Sequence, residues 1–424
     1  MAELVYNEQG RLLFTKEMKK EYTILIPMML PIHFTLLEKI FNRHGYKVVL
    51  LKTNHRNIID EGLKNVHNDT CYPALLVIGQ MMDALKSGKY DINKTALMIT
   101  QTGGGCRASN YINLLRKALK NNGFENVPVI SLNMSNMEKN PGFSLSPKLL
   151  YQLISAVCYG DLLMLLRNQT RIYEVNKGET DKVVDKWVTE LVNSNIGITD
   201  FTKKARRIIA DFEKIKVNDE NRIKVGIVGE IYIKYAPLGN NCLEEFLFDE
   251  GTEAVVPGLL DFIIFMCDHH IEDTKLYKVR YKKFIGSAAL KKFLVSMQNK
   301  MIKVVSESRY NPPSHFDRTK ALAAKYVSPG NKMGEGWLLT GEMLELIHSG
   351  VKNIVCAQPF GCLPNHIVGK GMIRKIREVH PEANIVAIDY DPGATKVNQE
   401  NRIKLMLSTA RELLKEEEEQ KKNQ

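Results

Sequence analysis

Short apolar runs alternate with helical patterns along most of the chain. The runs predict eight strands, at 22–28, 46–51, 95–100, 127–132, 223–228, 252–256, 353–357 and 384–389. Periodic apolar faces predict helices over 31–44, 73–87, 108–121, 148–167, 183–191, 241–249, 366–379 and 399–415. Nearly continuous apolar strands separated by helices are typical of parallel sheets covered on both faces. The predicted class is α/β, with two open parallel-sheet (Rossmann or flavodoxin-like) domains and helical insertions.

The pattern also predicts how the chain is divided. A first α/β domain covers 1–145, and a segment with helical periodicity and no convincing strand covers 146–220. A second α/β domain covers 221–410 and holds a helical insertion at about 259–346. The charged tail, 411–424, is expected to fray. Both α/β halves share one rhythm of strands, helices and cysteine-containing loops, which we interpret as architectural similarity.

Composition narrows the class of protein. Hydrophobic residues make up 44% and charged residues 25%, which is ordinary globular usage and excludes a disordered chain. The net charge of +11 permits acidic partners. Basic pairs are short and interleaved with apolar residues, so we expect no nucleic-acid binding. No segment approaches the roughly 20 apolar residues of a membrane span, and the N-terminus lacks a secretory pattern. We therefore expect a soluble, cytoplasmic protein that does not associate with a membrane.

Four of the seven cysteines share a local setting, the start of a helix or the loop between a strand and a helix. Cys71 lies beside a helix start, and Cys106 follows three glycines after the third strand. Cys356 and Cys362 flank a loop at the end of a later strand. Helix N-termini stabilise thiolates and anionic inorganic groups. Four such cysteines could hold an iron–sulfur cluster or a tetrahedral zinc ion.

Other interpretations stand beside this one. A single cysteine more often packs in a core than binds a metal, and the spacing contains no CxxC pair. Cys158 and Cys267 lie in apolar runs and are expected to be buried. For Cys242, which follows two asparagines, the sequence does not decide between burial and another role. The glycines before Cys106 could cradle a phosphate. They match neither the Walker pattern nor GxGxxG, which disfavours an NTPase or a nicotinamide enzyme.

Five longer strings carry a resemblance to a known family. They are NDTCYPALLVIGQ (68–80), TQTGGGCRASNY (100–111), YAPLGNNCLEEFL (235–247), QPFGCLPNHIVGKG (358–371) and ANIVAIDYDPGATKVNQENRIKLML (383–407). The chain, from about residue 22 to 407, resembles the activase-related proteins of the 2-hydroxyacyl-CoA dehydratase system. Their distant kin are subunits of that dehydratase and of benzoyl-CoA reductase, together with double-cubane cluster proteins.

The resemblance implies an iron–sulfur redox function. It implies one [4Fe–4S] cluster at the interface of the two domains, held by Cys71, Cys106, Cys356 and Cys362. A double-cubane cluster, which needs six cysteines, is the alternative. Electrons of low potential would come from an ATP-hydrolysing activator protein with its own cluster, since this sequence contains no recognisable activator domain. The cluster would pass them on or reduce a small substrate such as a CoA thioester, and whether the chain is itself an enzyme stays open.

Several further residues are candidates for tuning the cluster or orienting a substrate through N–H groups, positive charge or amides. They are Gln101, Gly104, Gly105, Arg107, Asn240, Asn241, His366 and Lys370. Each could equally be a capping or surface residue. The alternative function is a non-redox nucleotide- or CoA-binding scaffold subunit with structural or zinc-binding cysteines. The resemblance is also compatible with a homo-oligomer.

Overall fold

Two four-stranded sheets, each entirely parallel, organise the chain. The computed structural model describes residues 2–67, 69–101, 105–133, 138–194, 196–279 and 281–422. The first sheet has the order β2-β1-β3-β4, with β1 Thr23–Pro27, β2 Lys47–Leu51, β3 Thr95–Thr100 and β4 Val129–Leu132. The second has the order β6-β5-β7-β8, with β5 Lys224–Gly229, β6 Glu253–Val255, β7 Asn353–Pro359 and β8 Asn384–Tyr390. The predicted α/β class with two open parallel sheets is confirmed.

The same strand order recurs in the two sheets, as the shared rhythm of the sequence indicates. Central strands are apolar on both faces because helices cover both sides: five of the six residues of β3 are buried. In β7, every residue after Asn353 is buried. A continuous apolar run, rather than alternation, is therefore what a central strand of this fold requires.

The chain divides into two compact units. Residues 1–156 with 235–239 form unit 1, and residues 157–234 with 240–424 form unit 2. The helices of the first part of the chain are α1 Lys16–Glu21, α2 Pro31–Arg43, α3 Asn57–Asn65, α4 Tyr72–Lys86, α5 Tyr111–Asn121 and α6 Pro147–Arg171. Those that follow are α7 Glu179–Asn193, α8 Phe201–Glu213, α9 Ile231–Tyr235, α10 Pro237–Asn240, α11 Leu243–Asp249, α12 Leu259–Tyr277, α13 Tyr281–Ser306, α14 Phe316–Ala323, α15 Trp337–His348, α16 Ile373–Val379 and α17 Lys396–Lys422.

Several local expectations need correction. The helices α1 and α3 were not predicted. Helix α8 lies in the segment 146–220 that was predicted to be helical, and α17 continues through the charged tail to Lys422. Its last turns consist mainly of Glu and Lys, which are strong helix formers. Helix α16 begins at Ile373, later than predicted, because a π-helical turn, Asn365–Gly369, and a 3₁₀ turn precede it.

The expectation that no segment approaches membrane-spanning length also needs correction. Among the described residues, one helix, Pro147–Arg171, is long and apolar enough to cross a membrane by length and composition. Of its most apolar window, 72% is buried inside the protein. That burial is typical of the core helix of a soluble α/β fold.

Candidate functional site

The carboxyl ends of the middle strands are the places where an open parallel sheet binds ligands. In the first sheet the chain leaves β1 for β2 on one side and then crosses to β3 on the other. The second sheet repeats this path with β5, β6 and β7. The crevice at such a switch point is the usual ligand site of the fold. Cys106 follows β3 and Cys362 follows β7, so these two cysteines occupy equivalent places in the two sheets.

Cys71 is the N-cap residue of α4 and so lies at the helix start that the sequence around Pro73 predicts. Helix α4 is buried on nearly all sides. It packs closely on α3, where a Cβ at Gly79 would stand 2.1 Å from the carbonyl oxygen of Ile58. The Cys71 side chain is itself buried, and its Sγ lies 2.7 Å from Tyr111 Oη, at the start of α5. The thiol is thus held in a fixed position at a helix start.

The Cys106 loop contacts the Cys71 loop. Cys106 is half-buried and precedes a 3₁₀ turn, in which the Ser109 hydroxyl donates to the Cys106 carbonyl at 2.7 Å. Arg107 donates from Nη1 to the backbone carbonyl of Asp69, two residues before Cys71. Two links, this one and the pair formed by Cys71 and Tyr111, therefore bring both cysteine loops of unit 1 to the same region.

Gln101 links the Cys106 loop to strand β4 through hydrogen bonds. Its Nε2 donates to the carbonyl of Ser109 at 3.2 Å, and its Oε1 accepts from the Ser131 hydroxyl at 2.8 Å. Gln101 therefore orients the Cys106 turn against the end of β4. Gly105 is exposed in a turn, while Gly104 lies outside the described residues.

The sequence predicted Cys356 at the end of a strand, and the structure does not place it there. Strand β7 continues to Pro359, so Cys356 is an interior residue of the strand, paired in register with Val228 and Ala387. It is fully buried, and its Sγ lies 3.8 Å from Asn365 Oδ1. Burial, reinforced by the charge of Asp389, raises the pKa of the thiol to about 12. Cys356 is therefore a protonated thiol in this conformation.

Cys362 does lie at the predicted strand-to-helix loop. Gly361 before it has φ of 72°, a left-handed conformation that favours glycine. On the strand beside this loop, the buried Gln358 contacts His366 through its Nε2, at 2.5 Å from Nδ1. Gln358 Oε1 is buried without a hydrogen-bond partner in the described part of the chain. His366 lies in the π-helical turn, a distortion that frequently accompanies functional sites.

The other candidates of unit 2 have structural partners. Asn240 is buried, donates to the carbonyl of Ile233 at 2.9 Å and accepts from the backbone N–H of Leu243. Asn241 has φ of 56° and donates to Gln399 Oε1 at 2.7 Å. Lys370 forms an exposed ion pair with Asp389 at 3.1 Å. These contacts are those of capping and bridging residues, and any role toward a ligand stays a prediction.

A pair of carboxyl groups at the end of β5 was missed by the sequence analysis. Glu230 follows β5 directly and accepts from the N–H of Ile233 at 2.9 Å, while Glu335 accepts from the N–H of Ile231 at 3.0 Å. Burial and the neighbouring Glu335 raise the pKa of Glu230 to about 8, and burial raises that of Glu335. A Cβ at Gly334 would stand 3.1 Å from Pro364, so the Glu335 loop reaches the Cys362 loop.

One buried lysine provides the positive charge near these carboxyl groups. Lys234 Nζ lies 2.8 and 3.1 Å from the two carboxylate oxygens of Glu342, and both side chains are 4% exposed. Asp261 accepts a hydrogen bond from Gln298. Burial, with the charges of Glu342 and Asp161, raises the pKa of Asp261 to about 8. The only sequence signal for this network was Glu230 directly after a buried strand.

The cysteines outside the predicted ligand set have different surroundings. Cys158 and Cys267 are buried, as expected. Desolvation raises the pKa of Cys158, and it raises that of Cys267 to about 11. Cys242 is half-buried, with φ of 61°. Cys158 and Cys267, like Cys356, would therefore have to lose a proton before binding a metal or acting as a nucleophile.

The predicted cluster needs a set of converging ligands. No group of three or more His, Cys, Asp or Glu side chains arranged to hold a metal ion occurs among the residues that the structure describes. Unit 1 contributes Cys71 and Cys106, and unit 2 contributes Cys356 and Cys362. To become a ligand, Cys356 would have to lose both its proton and its contact with Asn365.

Unit 2 also contains a cavity of about 490 Å³ beside the edge strand β6. Its lining includes five acidic side chains and three basic ones: Asp161, Glu253, Asp261, Glu342 and Glu345, with Lys224, His315 and Arg318. Asp161 accepts from the N–H groups of Leu259 and Leu260, both at 2.8 Å, and so satisfies the start of α12. The excess of acidic over basic side chains disfavours a phosphate or CoA at this place.

Comparison with known proteins concerns the first sheet. No curated protein matches the chain. Residues 23–92 match the model of a family described as "CoA enzyme activase uncharacterised domain". The segment runs from β1 to just before β3 and contains Cys71 with helix α4. Over these residues, the chain is similar to this domain of CoA enzyme activases.

Proposed function

We propose that the protein is an iron–sulfur redox component of a system that activates a CoA-dependent enzyme. It carries one [4Fe–4S] cluster, receives electrons of low potential from an ATP-hydrolysing activator protein, and passes them on or reduces a small substrate such as a CoA thioester. A double-cubane cluster is the variant of this proposal that would recruit further cysteines.

The observation that carries the proposal is the contact between the two cysteine loops of unit 1. Cys71 lies in the segment related to CoA enzyme activases, and Arg107 links its loop to that of Cys106. Both cysteines lie at or beside the first turn of a helix, where N–H groups favour thiolates. Arg107 supplies a positive charge next to Cys106, which would stabilise a reduced, more anionic cluster.

The cysteines fit the cluster unequally. Cys71, Cys106 and Cys362 lie in loops or at a helix start, as ligands of an inorganic centre usually do. Cys356 fits only after deprotonation, because its thiol has a pKa of about 12 in the strand. Cluster binding would therefore release a proton from Cys356 and become tighter as the pH rises.

The test is anaerobic reconstitution with iron and sulfide, followed by EPR of the dithionite-reduced protein. We expect a cluster signal in the wild type and in Cys242→Ser, the matched control outside the ligand set. The signal should be lost or altered in Cys71→Ser, Cys106→Ser and Cys362→Ser. Wild-type protein that stays colourless and EPR-silent after reconstitution would exclude the proposal.

The second candidate is a non-redox scaffold subunit that binds a nucleotide or CoA thioester. The protonated state of Cys356 and the contact of Cys71 with Tyr111 favour it, because both thiols are satisfied without metal. Zinc without sulfide in elemental analysis, together with a rise in melting temperature on adding CoA, would support this candidate over the first.

A further inference from the structure

The positive charge of the protein is concentrated in one helical hairpin. Residues 274–306, which cover the end of α12, the turn and all of α13, contain nine Lys or Arg residues and no Asp or Glu. The other residues supply only +2 of the net charge of +11. A stretch of 33 residues without one acidic side chain is not an ordinary solvated face.

Helix α13 has two opposite faces. One face packs in the core through Leu294, Met297, Met301 and Val305, all buried. The other face carries Tyr281, Ile285, Lys292 and Lys303, which recur at helical spacing and therefore lie on one stripe. The stripe changes along the helix, with exposed apolar side chains at its start and lysines farther on.

The turn between α12 and α13 exposes large apolar side chains. Ile285 is 72% exposed, Tyr281 60% and Tyr277 58%, and Leu276 and Val279 are exposed beside them. Five such residues within ten positions of sequence form a patch of the kind that marks a docking surface. We call Leu276, Tyr277, Val279, Tyr281 and Ile285 the apolar tip.

The lysines beyond the apolar tip are available for a partner. Lys292, Lys300 and Lys303 line a shallow groove of about 660 Å³. They form no ion pair with any of the residues that the structure describes. Lys291, by contrast, is engaged by Asp268 at 2.9 Å and Asp317 at 3.1 Å.

We propose that the apolar tip and this row of lysines form a peripheral binding site for an anionic lipid surface. The aliphatic and tyrosine side chains enter the headgroup region, and the lysines lie against the lipid phosphates. Aliphatic side chains favour lipid over nucleic acid, whose backbone offers nothing for Leu276, Val279 and Ile285 to bury against. The expectation of no membrane was based on the absence of a span, and interfacial binding requires none.

The test is co-sedimentation with two kinds of vesicle, phosphatidylcholine alone and equal parts phosphatidylcholine and phosphatidylserine. We expect binding to the anionic vesicles only, weakened by salt. Because each surface lysine contributes about 1 kcal/mol, Lys292→Gln with Lys303→Gln should weaken partitioning roughly 30-fold. Tyr281→Ser with Ile285→Ser should weaken it while keeping the salt dependence. The control, Lys117→Gln with Lys120→Gln, makes the same charge change in α5 and should bind as wild type.

Three results would overturn the proposal. One is the absence of wild-type binding to anionic vesicles at low salt. Another is equal weakening by the control pair, which would make the effect one of net charge alone. The third is vesicle binding that is unaffected by the tip variant and abolished by heparin, which would assign the surface to a soluble polyanion. The substituted side chains are exposed, and circular dichroism melting checks that the variants fold.

Discussion

The ion pair between Lys234 and Glu342 is predicted to be the most sensitive polar contact of unit 2. Both side chains are 4% exposed, and the closer oxygen lies 2.8 Å from Nζ. At an effective dielectric constant of about 20, that separation corresponds to roughly 6 kcal/mol of attraction. Removing one partner of such a pair costs about 3–5 kcal/mol, because the other charge stays buried. We therefore expect Lys234→Met to lower the free energy of unfolding by about 3–5 kcal/mol near neutral pH.

Urea unfolding measured at several pH values tests this expectation. The loss should shrink toward acid pH, because the isolated Glu342 can then take up a proton and become neutral. The double variant, Lys234→Met with Glu342→Leu, should recover most of the stability, since a buried apolar pair carries no desolvation penalty. As an exposed control, Arg206→Met breaks the pair with Glu307 and should change stability by about 1 kcal/mol or less. A single variant as stable as wild type, or a double variant as unstable as the single one, would refute the reasoning.

Three further predictions follow from buried groups. The pKa of Glu230 rises from 4.5 to about 8 on folding, so the unfolded state releases its proton first and stability falls as pH rises through that window. Glu230→Gln should reduce the decrease of the urea unfolding midpoint with pH. A midpoint that depends on pH as strongly as in the wild type would contradict the assignment of this proton to Glu230. Cys356, with a pKa of about 12, should resist iodoacetamide in the native, metal-free protein at neutral pH, so Cys356→Ser should leave the number of rapidly labelled thiols unchanged. A Cβ on Gly229 would stand 2.2 Å from the carbonyl oxygen of Ala357, so Gly229→Ala should destabilise by roughly 1–3 kcal/mol. The control Gly286→Ala, in open space on α13, should not lower the thermal midpoint, and equal losses in both variants would contradict the packing argument.

The central strands could be predicted from the sequence because they are buried on both faces. Continuous apolar runs such as TALMIT and NIVCA leave little ambiguity when helical patterns separate them. The missed helices α1 and α3 are short. Helix α3 is only nine residues long and includes Gly62, where Leu75 packs so closely that a side chain would clash with it. Its presence depends on packing against α4, which no local pattern expresses.

The candidate site could be predicted only in part, because its geometry depends on distant residues. The helix start at Cys71 was evident from the sequence, and its contact with Tyr111, 40 residues later, was not. Cys356 was expected at a strand end because Gln358 and Pro359 resemble the start of a loop. Pairing with β8 extends β7 through both residues. Glu230 and Glu335 are 105 positions apart, so only the fold could reveal their proximity.

The iron and acid-labile sulfide content of the anaerobically reconstituted protein tests the central claim most directly. The account predicts about four iron and four sulfide per chain in the wild type. Cys71→Ser and Cys106→Ser should retain clearly less of both, and Cys242→Ser should match the wild type. Wild-type protein that retains neither element, or that binds zinc without sulfide, would contradict the redox assignment.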